Sequence, residues 1–109
     1  MKTYYHVTRT KNLESIMQSG LLPKIGRLSK ILGEKEVRIY LFPSTDDMNT
    51  ALSSWLGENL EEEFGEDEEF CSLKISLPDN FPIKEGEVEY ECYSYKTINP
   101  EYIEYLKKE

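Results

Sequence analysis

Few side chains in this sequence are of the kinds that do chemistry, and its one histidine is the most singular of them. His6 stands inside TYYHVT, residues 3–8, an aromatic and β-branched run that reads as a strand. An imidazole in such a strand is unusual. Its plainest role is a half-buried ring bonded to a backbone carbonyl, and its functional role is to hold a ligand by a hydrogen bond. A second constellation is EVEYECYSY at residues 87–95. Strand side chains alternate, so Glu87, Glu89 and Glu91 share one face, and Val88, Tyr90 and Cys92 share the other. Read on the residues alone, the three carboxylates also describe the charged decoration of an exposed edge strand. One histidine and two cysteines, Cys71 and Cys92, make no standard zinc spacing. Two cysteines are too few for a disulfide framework, so both are read as reduced thiols facing the core. No glycine-rich dinucleotide fingerprint and no phosphate loop is present in the sequence.

These residues need elements to position them. After the first strand, Thr10 stands where an N-cap hydroxyl is wanted, Leu13, Ile16 and Met17 follow at helical spacing, and Gly20 suits the C-terminal cap. Residues 24–36, with Gly26 and Gly33, read as a loop with one helical turn around 28–32. VRIYLF at 37–42 is a second strand, ended by Pro43. Ser44 with Asp47 resembles a capping box, and Met48, Ala51, Leu52, Trp55, Leu56 and Leu60 form one apolar helical stripe. A strand over 69–77, a loop over 78–86 and the alternating strand over 87–95 follow. At the end, Asn99 as cap, Pro100 at the first position and Glu101 in the first turn predict a helix whose Ile103 and Leu106 pack inward. The order is strand, helix, strand, helix, strand, strand, helix, with no βαβ rhythm, so the expected class is α+β in a single domain spanning residues 1–109.

Composition narrows the partners. Hydrophobic residues make up 39% of the chain, and eight Tyr, four Phe and one Trp must supply much of the core. The net charge is −8, from 21 acids against 13 bases, which argues against a grip on nucleic-acid phosphates. It leaves room for a local basic pocket for one dinucleotide, or for an acidic face presented to a basic partner protein. The run EEEFGEDEE at 61–69 reads as a solvated helix end or loop. No apolar run reaches the roughly 20 residues of a membrane helix, and the N-terminal residues lack a secretory apolar stretch. A cytoplasmic address is the expectation, with no membrane partner.

Taken together and in order, these segments resemble the ADP-ribosyltransferase superfamily in its diphtheria-toxin and poly-ADP-ribose-polymerase-like branch. The family's first strand carries Tyr-His-x-Thr and leads to a helix with Ser-Ile and a closing Gly. Here those positions are Tyr5, His6, Val7 and Thr8, then Ser15, Ile16 and Gly20. Val7 stands where the toxin-like branch usually has Gly. The family's aromatic strand, Ser-Thr-Asp and following aromatic are similar to Tyr40-Leu41-Phe42-Pro43-Ser44-Thr45-Asp46 with Trp55, although Pro43 occupies a position often held by Tyr. Its E-x-E strand and Pro-Glu-Tyr-Ile ending are similar to Glu89-Tyr90-Glu91 and Pro100-Glu101-Tyr102-Ile103.

The resemblance implies split antiparallel sheets with short flanking helices, and NAD as substrate. It implies Glu91 as the catalytic carboxylate and Glu89 as an accessory acid. Tyr40 and Trp55 would sandwich the nicotinamide, though Trp55 equally fits core packing on its stripe. His6, supported by Thr8, would hydrogen-bond the adenosine ribose as a positioner, and Arg27 would meet the pyrophosphate. Transfer of ADP-ribose passes through an oxocarbenium-like state, so a fixed carboxylate near the ribose helps most when positive charge appears there. The resemblance thus implies an NAD-dependent transferase acting on a macromolecule. The acceptor itself is not legible in the residues; the acidic balance favours protein over nucleic acid, and the small size suggests a phage or mobile-element product. Two other readings stand beside it. One is a non-catalytic acidic inhibitor that keeps the fold, as in anti-defence proteins. The other is an RNA 2′-phosphotransferase, a family with a similar fold that relies on Arg and His clusters scarce in this chain.

Overall fold

The computed structural model describes residues 1–23, 38–85 and 92–109. The described chain is α+β, with two three-stranded antiparallel sheets and three α-helices. The first sheet has β1 (Lys2–Arg9) and β6 (Ile103–Lys108) on either side of β3 (Phe70–Leu77), and the second has β5 (Cys92–Ser94) between β2 (Ile39–Leu41) and β4 (Lys84–Glu85). The helices are α1 (Leu13–Ser19), α2 (Thr45–Leu52) and α3 (Trp55–Phe64). None of them is long and apolar enough to cross a membrane.

Alternation in the strands divides the core in two. Tyr4 of β1 joins a first cluster with Leu73, Ile75, Leu77, Ile103 and the Ile39 and Leu41 of β2. Val7, on the opposite face of β1, joins a second cluster with Tyr40, Phe42, Tyr93 and the helical Met48, Ala51, Leu56 and Leu60. Both β2 and β5 are buried throughout, because each has apolar neighbours on both faces. Both cysteines are buried free thiols, as their composition suggests.

Several local signals act as expected. Ser44 caps α2, its Oγ accepting from the Asp47 amide at 3.1 Å. Gly20 ends α1 at φ 85° and passes the chain to Leu21, whose amide and carbonyl both bond Ile98 at 2.9 Å. Gly65 ends α3 at φ 84°. Both glycines adopt a region essentially closed to other residues, so a side chain costs about 1–3 kcal/mol at either. At Gly20 a Cβ would also overlap the Ile98 carbonyl oxygen, whereas at Gly65 nothing lies within 4 Å. Gly20→Ala is therefore expected to lower stability distinctly more than Gly65→Ala in urea unfolding; equal losses would contradict the Leu21–Ile98 junction.

Three expectations are corrected. The apolar stripe over 48–60 is not one helix: the chain turns at Ser53 and Ser54. Ser54 Oγ donates to the Thr50 carbonyl at 2.7 Å, and a serine that engages the backbone this way competes with helix continuation. The second correction concerns the C-terminal segment. Asn99, Pro100 and Glu101 start only a single 3-10 turn, Pro100–Tyr102, and residues 103–108 form strand β6. The open edge of β3 offers a row of backbone donors and acceptors, and pairing them outweighs the local helix signal. Ile103 lies opposite Ile75 and Tyr105 opposite Leu73, with a register shift between Ser72 and Leu73. Likewise, the expected loop over 78–86 contains the short strand β4.

Candidate functional site

The two sheets meet at one backbone pair. Tyr5 of β1 and Phe42, just after β2, exchange hydrogen bonds of 2.9 and 2.8 Å, and this bridge is isolated. Continued antiparallel pairing would next join Val7 to Tyr40. Instead, the strands part there, and His6 enters the split. Its Nδ1 lies 2.8 Å from the Tyr40 carbonyl oxygen. A carbonyl only accepts, so Nδ1 carries the proton, and in the neutral ring Nε2 is left as an acceptor. Burial lowers the pKa of the ring, and the bond to Tyr40 works more weakly in the opposite direction. His6 is therefore neutral at pH 7.

The sign of the pH dependence follows. An imidazole in the unfolded chain titrates near pH 6.5. Between that value and the lower folded value, the unfolded state carries the extra proton, so stability falls as pH drops below about 6.5 and levels off below the folded pKa. The stability advantage of the wild type over His6→Asn should shrink over that interval. Because His6 is the only histidine, one imidazole NMR signal reports it directly; titration at or above 6.5 would contradict this placement.

Thr8 is buried and lies on the same face of β1 as His6 and Tyr4. The rings of Tyr40 and Trp55 gather elsewhere, in the second cluster. Tyr40 is 6% exposed and meets Phe42 and Tyr93 edge-on, at centroid distances of 5.2 and 5.6 Å. Trp55 is half-buried and packs against the same cluster, which fits its core-packing role. The structure thus brings His6 to Thr8, and Tyr40 to Trp55, while His6 meets Tyr40 through that residue's main chain. The carbonyl bond of a half-buried ring also fits the plainer reading of His6.

Glu89, Glu91 and Arg27 lie outside the described residues. Cys92, which follows Glu91 in sequence, opens β5 and pairs with Leu41, one residue from the carbonyl that His6 engages. Two residues join these surroundings that sequence reasoning did not select. Arg38, just before β2, sets its guanidinium over the Tyr93 ring at 3.7 Å, and Tyr93 pairs with Tyr40. Tyr105 lies on the His6 face of the first sheet, in the row His6–Leu73–Tyr105. The Ile103/Tyr105 alternation was a legible strand signal, but the cap residues before it pointed to a helix.

Burial pushes both thiols up, so Cys71 and Cys92 are protonated core groups rather than nucleophiles. Among the described residues, no group of three or more His, Cys, Asp and Glu side chains is placed to hold a metal ion. No family model matches the chain, and no curated protein or solved structure matches it.

Proposed function

We propose that this protein is an NAD-dependent ADP-ribosyltransferase of the His-Tyr-Glu type, acting on a protein target. The observation that supports this best is His6, held at the split between two antiparallel sheets as a neutral imidazole with Nδ1 committed to the Tyr40 carbonyl. Its Nε2 can then accept from a hydroxyl, which is what a ribose diol presents. A neutral acceptor positions a sugar without taking its proton, so His6 serves in binding rather than as a base.

In the proposed reaction the bond between ribose C1′ and the nicotinamide nitrogen breaks. Nicotinamide leaves neutral with the bonding electron pair, and the nucleophile of the target adds at C1′ and gives up a proton. Glu91 is the carboxylate assigned to the positive charge on the ribose, with Glu89 as its accessory acid. Trp55, half-buried at the start of α3, is the aromatic group assigned to nicotinamide and Arg27 the group assigned to the pyrophosphate; the Tyr40 ring, buried in the second core cluster between Phe42 and Tyr93, is not open to a ligand.

Ligand-induced stabilisation tests the reading without knowledge of the target. NAD at 100 times its dissociation constant adds about 2.7 kcal/mol to the stability of the folded chain. That gain should appear for the wild type and shrink for His6→Ala, measured against each protein's own ligand-free melting temperature. A wild-type chain whose melting temperature ignores millimolar NAD is not an NAD enzyme, and the non-catalytic interaction reading then takes its place.

A further inference from the structure

A depression lies away from His6, where the end of α3 meets the start of β3 and Glu109. It is an open groove of about 390 Å³. Leu52, Leu60 and Phe70 form its apolar part, and Glu61, Glu66, Glu68 and Glu109 stand around it. Its volume is at the small end of the roughly 300–1,000 Å³ typical of ligand sites, so it takes side chains rather than a folded element.

The charge around this groove is arranged against the stability of its own elements. The last turn of α3 carries Glu61, Glu62 and Glu63 and no basic residue. A helix C-terminus is the negative end of the macrodipole, so carboxylates there are disfavoured, and Glu58 adds like-charge neighbours at i+3 and i+4. Internal cations answer only part of the rim. Glu68 lies 3.5 Å from Arg9 and 3.9 Å from Lys11, and Glu109 accepts from Ser72 Oγ at 2.8 Å and lies 4.0 Å from Lys107. Among the described residues, exposed Glu61 and Glu66 make no ion pair. The carboxylates are also not gathered as a cation cage, since no described group of three could hold a metal ion. Negative charge spread around an apolar floor suits a ligand that is itself both apolar and cationic along its length.

We propose that this groove docks an extended segment of a partner protein in which an apolar side chain is flanked by lysine or arginine. The apolar side chain enters between Leu52, Leu60 and Phe70, and the flanking cations meet Glu61 and Glu66. This inference does not depend on NAD chemistry and holds equally for an enzyme and for a non-catalytic inhibitor.

The test is a selection of random heptapeptides on the intact chain, with counter-selection on the Glu61→Lys/Glu66→Lys variant. Both substitutions are at exposed positions, and an unchanged melting temperature verifies the fold. Enriched peptides should carry an apolar residue flanked by Lys or Arg. A synthetic copy should bind at least tenfold more weakly to the variant. Replacing its apolar residue by Ser should cost a similar factor, and that change leaves the protein untouched. Enrichment of nothing, of acidic or uncharged peptides, or of binders indifferent to the charge reversal overturns the proposal. So does displacement of the peptide by spermidine at equal charge concentration, because a simple polyamine has no apolar side chain to seat.

Discussion

Glu91→Gln should lower NAD turnover by roughly 10²–10³-fold, the loss usual when one preorganised charge-stabilising group is removed. NAD affinity and the melting temperature should barely change. On the proposed mechanism the two effects separate, because the carboxylate would act on a charge that exists only as the glycosidic bond lengthens. In the ground state that mechanism asks of residue 91 only a hydrogen bond to a hydroxyl, which Gln accepts nearly as well. Nicotinamide release, followed chromatographically with water or a target protein as acceptor, gives the rate. Thermal stabilisation by NAD gives the binding. Glu89→Gln should act in the same direction and more weakly. If Glu91→Gln abolishes the NAD-induced shift together with turnover, the residue binds substrate rather than stabilising the transition state. If it leaves turnover intact, the assignment of Glu91 fails, while His6 and the groove remain to be judged by their own experiments.

Leu73→Ala should destabilise the protein by about 2–5 kcal/mol, the range for removing a fully buried leucine. Leu73 is inaccessible to solvent and lies in the central strand of the first sheet, opposite His6 on one side and Tyr105 on the other. Its loss opens a cavity that two flanking strands must close over. For a domain of this size a loss of that order lowers the melting temperature by about 10 °C or more. Leu106→Ala is the informative control. Leu106 is 37% exposed and falls at the register shift of β6, so its truncation should cost less than about 1 kcal/mol. Had residues 100–108 formed an inward-packed helix, Leu106 would have been a core residue and its truncation costly. Denaturant unfolding of the two variants therefore tests both the first core cluster and the strand assignment. A large loss for Leu106→Ala with a small one for Leu73→Ala would refute the pairing of β3 with β6.

Where local and tertiary forces agree, the elements were readable from residue order. The β1 run is aromatic and β-branched, and its pattern survives because β3 pairs along its whole length. Ser44 begins its helix because the cap is satisfied within three residues. Gly20 ends α1 because few residues but glycine accept its backbone conformation. The failures came where a distant partner decided. Asn99-Pro100-Glu101 is a sound helix start that yields to the unpaired edge of β3. The 48–60 stripe has a helical period on both sides of Ser53-Ser54, and periodicity does not register a turn that keeps both halves apolar.

The sequence by itself determined the α+β class, the buried state of both cysteines, the acidic character of the surface, and His6 as a histidine within a strand, because each follows from residue type and near-neighbour spacing. Only the tertiary structure decided that His6 bonds the Tyr40 carbonyl where two sheets part, that Tyr40 and Trp55 share the core cluster on the other face, and that the acidic run borders an apolar groove. Those facts join residues far apart in the chain, such as His6 and Tyr40, 34 positions apart. Local propensity carries no information about which strand edge, among several of similar composition, another will find; packing and hydrogen-bond satisfaction across the whole chain choose it.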